Sequence, residues 1–214
     1  MKKQDEEQII FNEIIPDTEE ALENLELTPS PQWLSVGIHP WYISPTQASL
    51  QLKKLGEVVQ NEQVKLIGEC GLDRMKGAAM PLQEEIFIKQ IRLAEDLRKP
   101  LVIHCVRCFN ELLSIKKIVR PKVPMVVHGF NNNIIIARQL LEKGFYLSLG
   151  AAILRTDSNA YKVLQEIPLE QLFFETDDSD IPLINIYEQA SATKNIAIEK
   201  LAEQIQHNYL NMVV

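Results

Sequence analysis

The chain has 214 residues, 46% hydrophobic and 24% charged, enough apolar material for a folded domain with a sizeable core. Its 22 Lys and Arg against 29 Asp and Glu leave a formal charge of −7, which excludes a broad basic face and with it a tight, sequence-reading nucleic-acid binder. No run is long enough to span a bilayer, "MKKQDEEQIIFNEII" is no secretory signal, and Cys70, Cys105 and Cys108 are too sparse for a disulfide framework, so a cytoplasmic protein without a membrane partner is expected.

In chain order the β-rich apolar runs are "QIIFNEII", "WLSVGIHP", "VKLIGECG", "PLVIHCVR", "PMVVHGF", "GFYLSLG" and "LFFETDD". Helix-like stretches over residues 46–61, 81–98, 110–119, 132–143 and 158–166 separate most of them, and another covers 195–209. In the second, Pro81 suits a first turn, Ile86, Ile88, Ile91, Leu93 and Leu97 supply an apolar face, and Lys99-Pro100 ends it. Pro29-Ser30-Pro31 reads as a loop, not a linker, so residues 1–214 are expected to form one domain. Repeated β-then-α alternation predicts an α/β fold with a parallel sheet, most economically a TIM-type (β/α) barrel. An open doubly wound sheet is the rival, weakened by the absence of a glycine-rich turn after the first strand. Only seven strands are clear where a closed barrel has eight, and the shortfall lies before Gln8, at the first strand.

Several strands finish on a metal-binding residue type: Glu69 after "VKLIG", His104 after "PLVI", His128 after "PMVV" and Asp177 after "LFFET". In a parallel barrel all C-terminal strand ends meet on one face, so four residues scattered in sequence converge. Two imidazoles and two carboxylates suit a divalent ion such as zinc or manganese. Each also has a plainer reading, with the histidines merely hydrogen-bonded, Glu69 a solvated charge and Asp177 capping a helix near Asp180. His39 in "VGIHPW" either touches substrate at the mouth or fixes the turn before Pro40. Arg107 either clamps an anion with its planar donors or pairs with Glu69 or Asp73. Cys105 is expected to pack, His207 to lie on the surface and Trp33 to pack, while Trp41 either packs or stacks on bases.

Taken together, "GIHP", "GECGLD", the Gln83-Phe87-Gln90 helix before "KPLVIHCVR", "HGF" and "ETDD" resemble the TatD family of metal-dependent DNases, from about Trp33 to the C-terminus. The resemblance implies a barrel with one or two divalent ions (Zn, Mg or Mn) that hydrolyses DNA or another phosphodiester. It implies Glu69 as a ligand able to bridge two metals, His104 and His128 on the second, and Asp177 on the first, where it orients the attacking water. Glu69 and Asp177 are thus the expected catalytic residues, and His39 and Arg107 the substrate-binding ones.

The family's first strand ends in His-x-His, and "MKKQDEE" holds no histidine. Either Met1 is not the natural start or this is a reduced member; the intact downstream pattern favours the first, and weak or absent hydrolysis by these residues alone is expected. The room before "GIHP" is short for a full helix. Hydrolysis of an amide, ester or lactone on the same barrel, and a non-catalytic scaffold, are the other functions the pattern leaves open.

Overall fold

In this computed structural model residues 9–27 and 33–213 are described. The expected loop at Pro29-Ser30-Pro31 and the charged stub before Gln8 lie outside them.

All seven predicted strands form: β1 Ile10–Ile14, β2 Trp33–Gly37, β3 Val64–Asp73, β4 Leu101–Val106, β5 Met125–Val127, β6 Phe145–Leu149 and β7 Leu172–Phe174. They pair in parallel and in chain order, each with the next. Helices α1 Glu19–Glu23, α2 Ala48–Val58, α3 Met80–Leu97, α4 Phe109–Val119, α5 Ile134–Glu142, α6 Asn159–Glu166, α7 Leu183–Lys194 and α8 Ile198–Val213 link and cover them. As the short stretch before "GIHP" requires, α1 has only five residues. The long α3 carries Pro81 in its first turn and stops at Arg98, which adopts a left-handed φ of 54° just before Lys99-Pro100. No helix among the described residues is long and apolar enough to cross a membrane.

Strand residues alternate between two apolar environments. Leu34, Leu101, Ile103, Met125, Val127, Phe145 and Leu147 are buried in the main core against the helices. Their neighbours Trp33, Val102, Val126 and Tyr146 join Ile10, Leu66 and Phe173 in a second cluster on the opposite face, closed by Tyr209, Met212 and Val213 of α8. Ile10 and Phe173 come from the two edge strands and still share this cluster, so the sheet curls as a barrel wall does. Among the described residues β1 and β7 do not pair, leaving the curl open between them. Asn208 fixes α8 there by donating to the carbonyls of Leu169 (2.6 Å) and Leu172 (3.0 Å). Trp33 is a packing residue, its ring stacked on Tyr209 at 5.0 Å.

Two buried glutamines of α3, seven residues apart on one helical face, pin the C-terminal ends of the strands. The Gln90 carboxamide accepts from Ile38 N (2.8 Å) and donates to Ile38 O (3.0 Å). Gln83 does the same for Asp73, at 2.7 and 2.9 Å. Gln90→Leu, which leaves both Ile38 groups buried and unpaired, is expected to destabilise the protein by about 2–4 kcal/mol. Urea unfolding checks this, and a midpoint unchanged from the parent would show that the pair contributes nothing.

Candidate metal centre

One pleat beyond the inner apolar cluster the same face turns polar, presenting Asn12, Ser35, His104, His128, Ser148 and Glu175 at the C-terminal strand ends. Strand β3 is irregular here: Ile67 pairs with Leu101 but Cys70 with Ile103, three steps against two. The extra residue is a bulge, which re-aims the side chain beside it. Gly68 makes the bulge possible, because at its φ of 138° a Cβ would lie 2.1 Å from the Val102 carbonyl oxygen. Glu69 follows, its backbone N–H donating to Asn12 Oδ1 at 2.9 Å.

The two strand-end histidines are held from behind by carboxylates. His104 Nε2 lies 3.1 Å from Asp73 Oδ2, and that same oxygen accepts from Trp41 Nε1 at 2.6 Å. Asp73 Oδ1 accepts from the backbone N–H groups of Met75 (2.7 Å) and Lys76 (3.2 Å). Burial opposes ionisation of Asp73, yet donors from Trp41, Met75 and His104 hold its carboxyl below the usual range. An ionised carboxylate only accepts, so the His104 proton sits on Nε2 and the Nδ1 lone pair faces the site, 3.3 Å from His128 Nε2. Burial lowers the His104 pKa and keeps the ring neutral.

His128 stands among acids, with Nε2 3.3 Å from Glu69 Oε2 and Nδ1 3.8 Å from Glu175 Oε1. Glu175 is itself fixed by the Gly129 N–H at 2.5 Å. Burial works against a charged His128, but Glu175, Glu69 and Asp177 together raise it to about 9. Partial desolvation pushes Glu69 and Asp177 up; the charged His128 opposes this, and the neighbouring acids add to it. His39 is buried, and its pKa falls to about 3 through burial and the nearby His104 and His128.

Ligand atoms of Glu69, His128 and Asp177 lie within 4.8 Å of one another, as do those of His39, Glu69 and His104, and Glu69 belongs to both groups. Carboxylates that hold protons too tightly beside an imidazole kept charged by them mark a negative potential that a divalent cation would neutralise. The oxygen and nitrogen donors have the right chemistry for one. His39 is the exception within its group. Its Nδ1 accepts the Trp41 N–H at 3.2 Å, so its proton is on Nε2, the atom 3.6 Å from Glu69. It therefore presents a donor there, besides fixing the turn before Pro40.

Asp177 is exposed, with φ 48°, and does not cap a helix: α7 begins at Leu183, with Pro182 before it. Arg107 is exposed and makes no ion pair with Glu69 or Asp73; its backbone carbonyl accepts from Arg74 Nε at 3.1 Å. His207 is exposed on α8, and Cys105 packs against the main core.

Metal-free protein should lose stability as pH rises from about 6.5 to about 9. The raised His128 contributes fully below its unfolded pKa of 6.5, and that contribution disappears as it deprotonates. By linkage the loss amounts to about 3 kcal/mol. Thermal midpoints of chelated protein across this range check it, and a flat profile would contradict the charged His128.

Residues 2–213 match the family model described as TatD related DNase. The chain belongs to that family. An uncharacterized metal-dependent hydrolase of Buchnera aphidicola is 31% identical over 195 residues, covering 84% of this chain and 73% of that protein. A Pantoea protein named 3'-5' ssDNA/RNA exonuclease TatD is 29% identical over 217 residues, covering 90% and 82%. The crystal structure of a TatD homologue from Escherichia coli superposes with a TM-score of 0.81 over 96% of this chain and 86% of that one, at 21% identity. That likeness concerns the fold, and it agrees with the TIM-type barrel expected from the strand order. As a member of the TatD family the chain is a metal-dependent hydrolase.

Proposed function

We propose that the chain hydrolyses phosphodiester bonds of DNA, preferentially in single strands, as one catalytic domain holding one or two divalent ions (Zn2+, Mg2+ or Mn2+). The observation that carries this is the pair of ligand groups sharing Glu69 at the barrel mouth. Glu69, His128 and Asp177 would hold one ion; His104, offering Nδ1, would join Glu69 at a second. Such an ion supplies Lewis acidity that offsets charge growing on the phosphoryl group and makes water more acidic. Asp177, exposed at the surface but partly desolvated by its surroundings, has its affinity for protons raised by that desolvation and by Glu175 and Asp178, and accepts the proton of the attacking water. Glu69, half-buried at the strand end, keeps that water oriented. His39 directs its Nε2–H toward a phosphoryl oxygen, and exposed Arg107 at the rim takes a neighbouring phosphate. Support for single strands comes from the name of the Pantoea relative and from the net charge of −7, which gives duplex DNA little attraction. Free Cys70, Cys105 and Cys108 support a cytoplasmic setting.

The test is elemental analysis of protein purified without chelator, followed by incubation with a labelled single-stranded oligonucleotide. At least one divalent ion per chain is expected, with cleavage that is weak, as the sequence predicts for these residues, and that chelation stops and metal restores. DNA left intact in all three metals, with small esters or lactones turned over, would replace this reading with hydrolysis of another bond.

A further inference from the structure

Beside the metal centre lies a patch that the chemistry above does not use. Trp41, Tyr42 and Met75 are 38%, 40% and 62% exposed, which is unusual for large apolar side chains grouped on two adjoining loops. Trp41 and Tyr42 sit in the 3-10 turn Pro40–Tyr42 after β2, and Met75 in the loop after β3. The loops are locked together: Asp73 accepts from Trp41 Nε1 and from the Met75 and Lys76 N–H groups, and Gly77, at φ 92°, lies so close that a Cβ would stand 2.2 Å from Pro40 O. One face of the Trp41 indole is covered by Lys76, its Nζ 3.6 Å from the ring centroid. The ring also meets the edges of His39 and His104, at 4.9 and 5.6 Å between centroids. The indole is thus held in place next to the ligand residues, and the cation over its face is exposed.

We infer that this indole face, with Tyr42 and Met75 beside it, is a stacking site for a nucleobase of a single-stranded nucleic acid. The inference rests on the hydrolase reading and adds what the substrate must carry. Magnitudes decide whether Lys76 can be displaced. A cation–π contact at an exposed site shifts an equilibrium by about two- to fivefold, whereas base–aromatic stacking is worth about 5- to 150-fold per base. A base therefore replaces the ammonium on the ring, and the released Lys76 is left beside the incoming backbone, where it pairs with a phosphate. On a chain of net charge −7 this local cation, with exposed Arg107 just past the end of β4, gives the strand a direction of approach, whereas Arg74 is paired with Glu111.

Trp33→Phe protein, in which Trp41 alone emits, is titrated in Mg2+ with a single-stranded phosphorothioate oligonucleotide and with an all-abasic strand of the same length and linkages. The base-bearing strand is expected to quench the emission and to bind about 5- to 150-fold more tightly. In Tyr42→Ala/Met75→Ala protein that preference should shrink. Equal affinity for the two strands, or tighter binding without quenching, overturns the stacking site. The two readings fail separately: quenching without turnover of an ordinary strand removes the hydrolase, and turnover without quenching removes the stacking site.

Discussion

Glu69→Gln is expected to lower phosphodiester turnover by about three orders of magnitude, or about 4 kcal/mol of transition-state stabilisation. The carboxylate is the member common to both ligand groups, so its removal weakens every ion position at once. Glutamine keeps the shape and the backbone bond to Asn12 but offers a neutral oxygen to a cation. The fold should survive, because His128 retains Glu175 and because burial already works against the Glu69 charge. The discriminating measurement is the metal-dependent rise in thermal midpoint. The parent should gain stability on adding Zn2+ or Mn2+, and the variant should gain little. A variant that keeps both the metal-induced rise and its turnover would remove Glu69 from the centre.

Most of the fold was legible because each strand is a short β-rich run between helical patterns, and the open count of seven matched the sheet. The C-terminal helix was also visible, but not that α8 fills the inner face beneath the site: an amphipathic pattern shows that a face is buried, not against what. Helix α7 is legible only loosely, near Asp180, since its first turn follows Pro182 and carries no side-chain cap. At the site, Glu69, His104, His128 and Asp177 stood out as polar endings of apolar runs. The supporting carboxylates did not. Asp73 looked like a possible partner for Arg107, because the two residues of bulge in β3 that bring it behind His104 cannot be counted from sequence. Glu175 had a usable signal: two residues beyond the inward Phe173, it shares that residue's face, whereas the motif drew attention to Asp177. The exposure of Trp41 depends on the joining of two loops, which no local pattern encodes.

Asp73→Asn should lower metal affinity by about 10- to 100-fold, the range for losing a group that orients a ligating histidine. All four contacts to this carboxylate are donors: Trp41 Nε1 and His104 Nε2 on one oxygen, Met75 N and Lys76 N on the other. An amide can satisfy only one of these pairs, because its NH2 must face the other. If the NH2 replaces the oxygen on the His104 side, the imidazole can accept from it only by moving its own proton to Nδ1. The lone pair that faced the site becomes an N–H, and His104 can no longer ligate from that atom. If the amide turns the other way, two backbone N–H groups lose their acceptor and the 75–77 loop comes free from Trp41. Nitrogen-15 NMR of the imidazoles separates these cases, since the parent should show His104 protonated at Nε2 and the variant, in the first case, at Nδ1. Glu175→Gln offers a contrast, because its contact to His128 is longer, at 3.8 Å, and its amide oxygen can still accept the Gly129 N–H. It should lower the His128 pKa and cost less affinity than Asp73→Asn. Equal metal affinity in parent and Asp73→Asn protein, with His104 still protonated at Nε2, would mean that the carboxylate secures the loops and does not set the ligand.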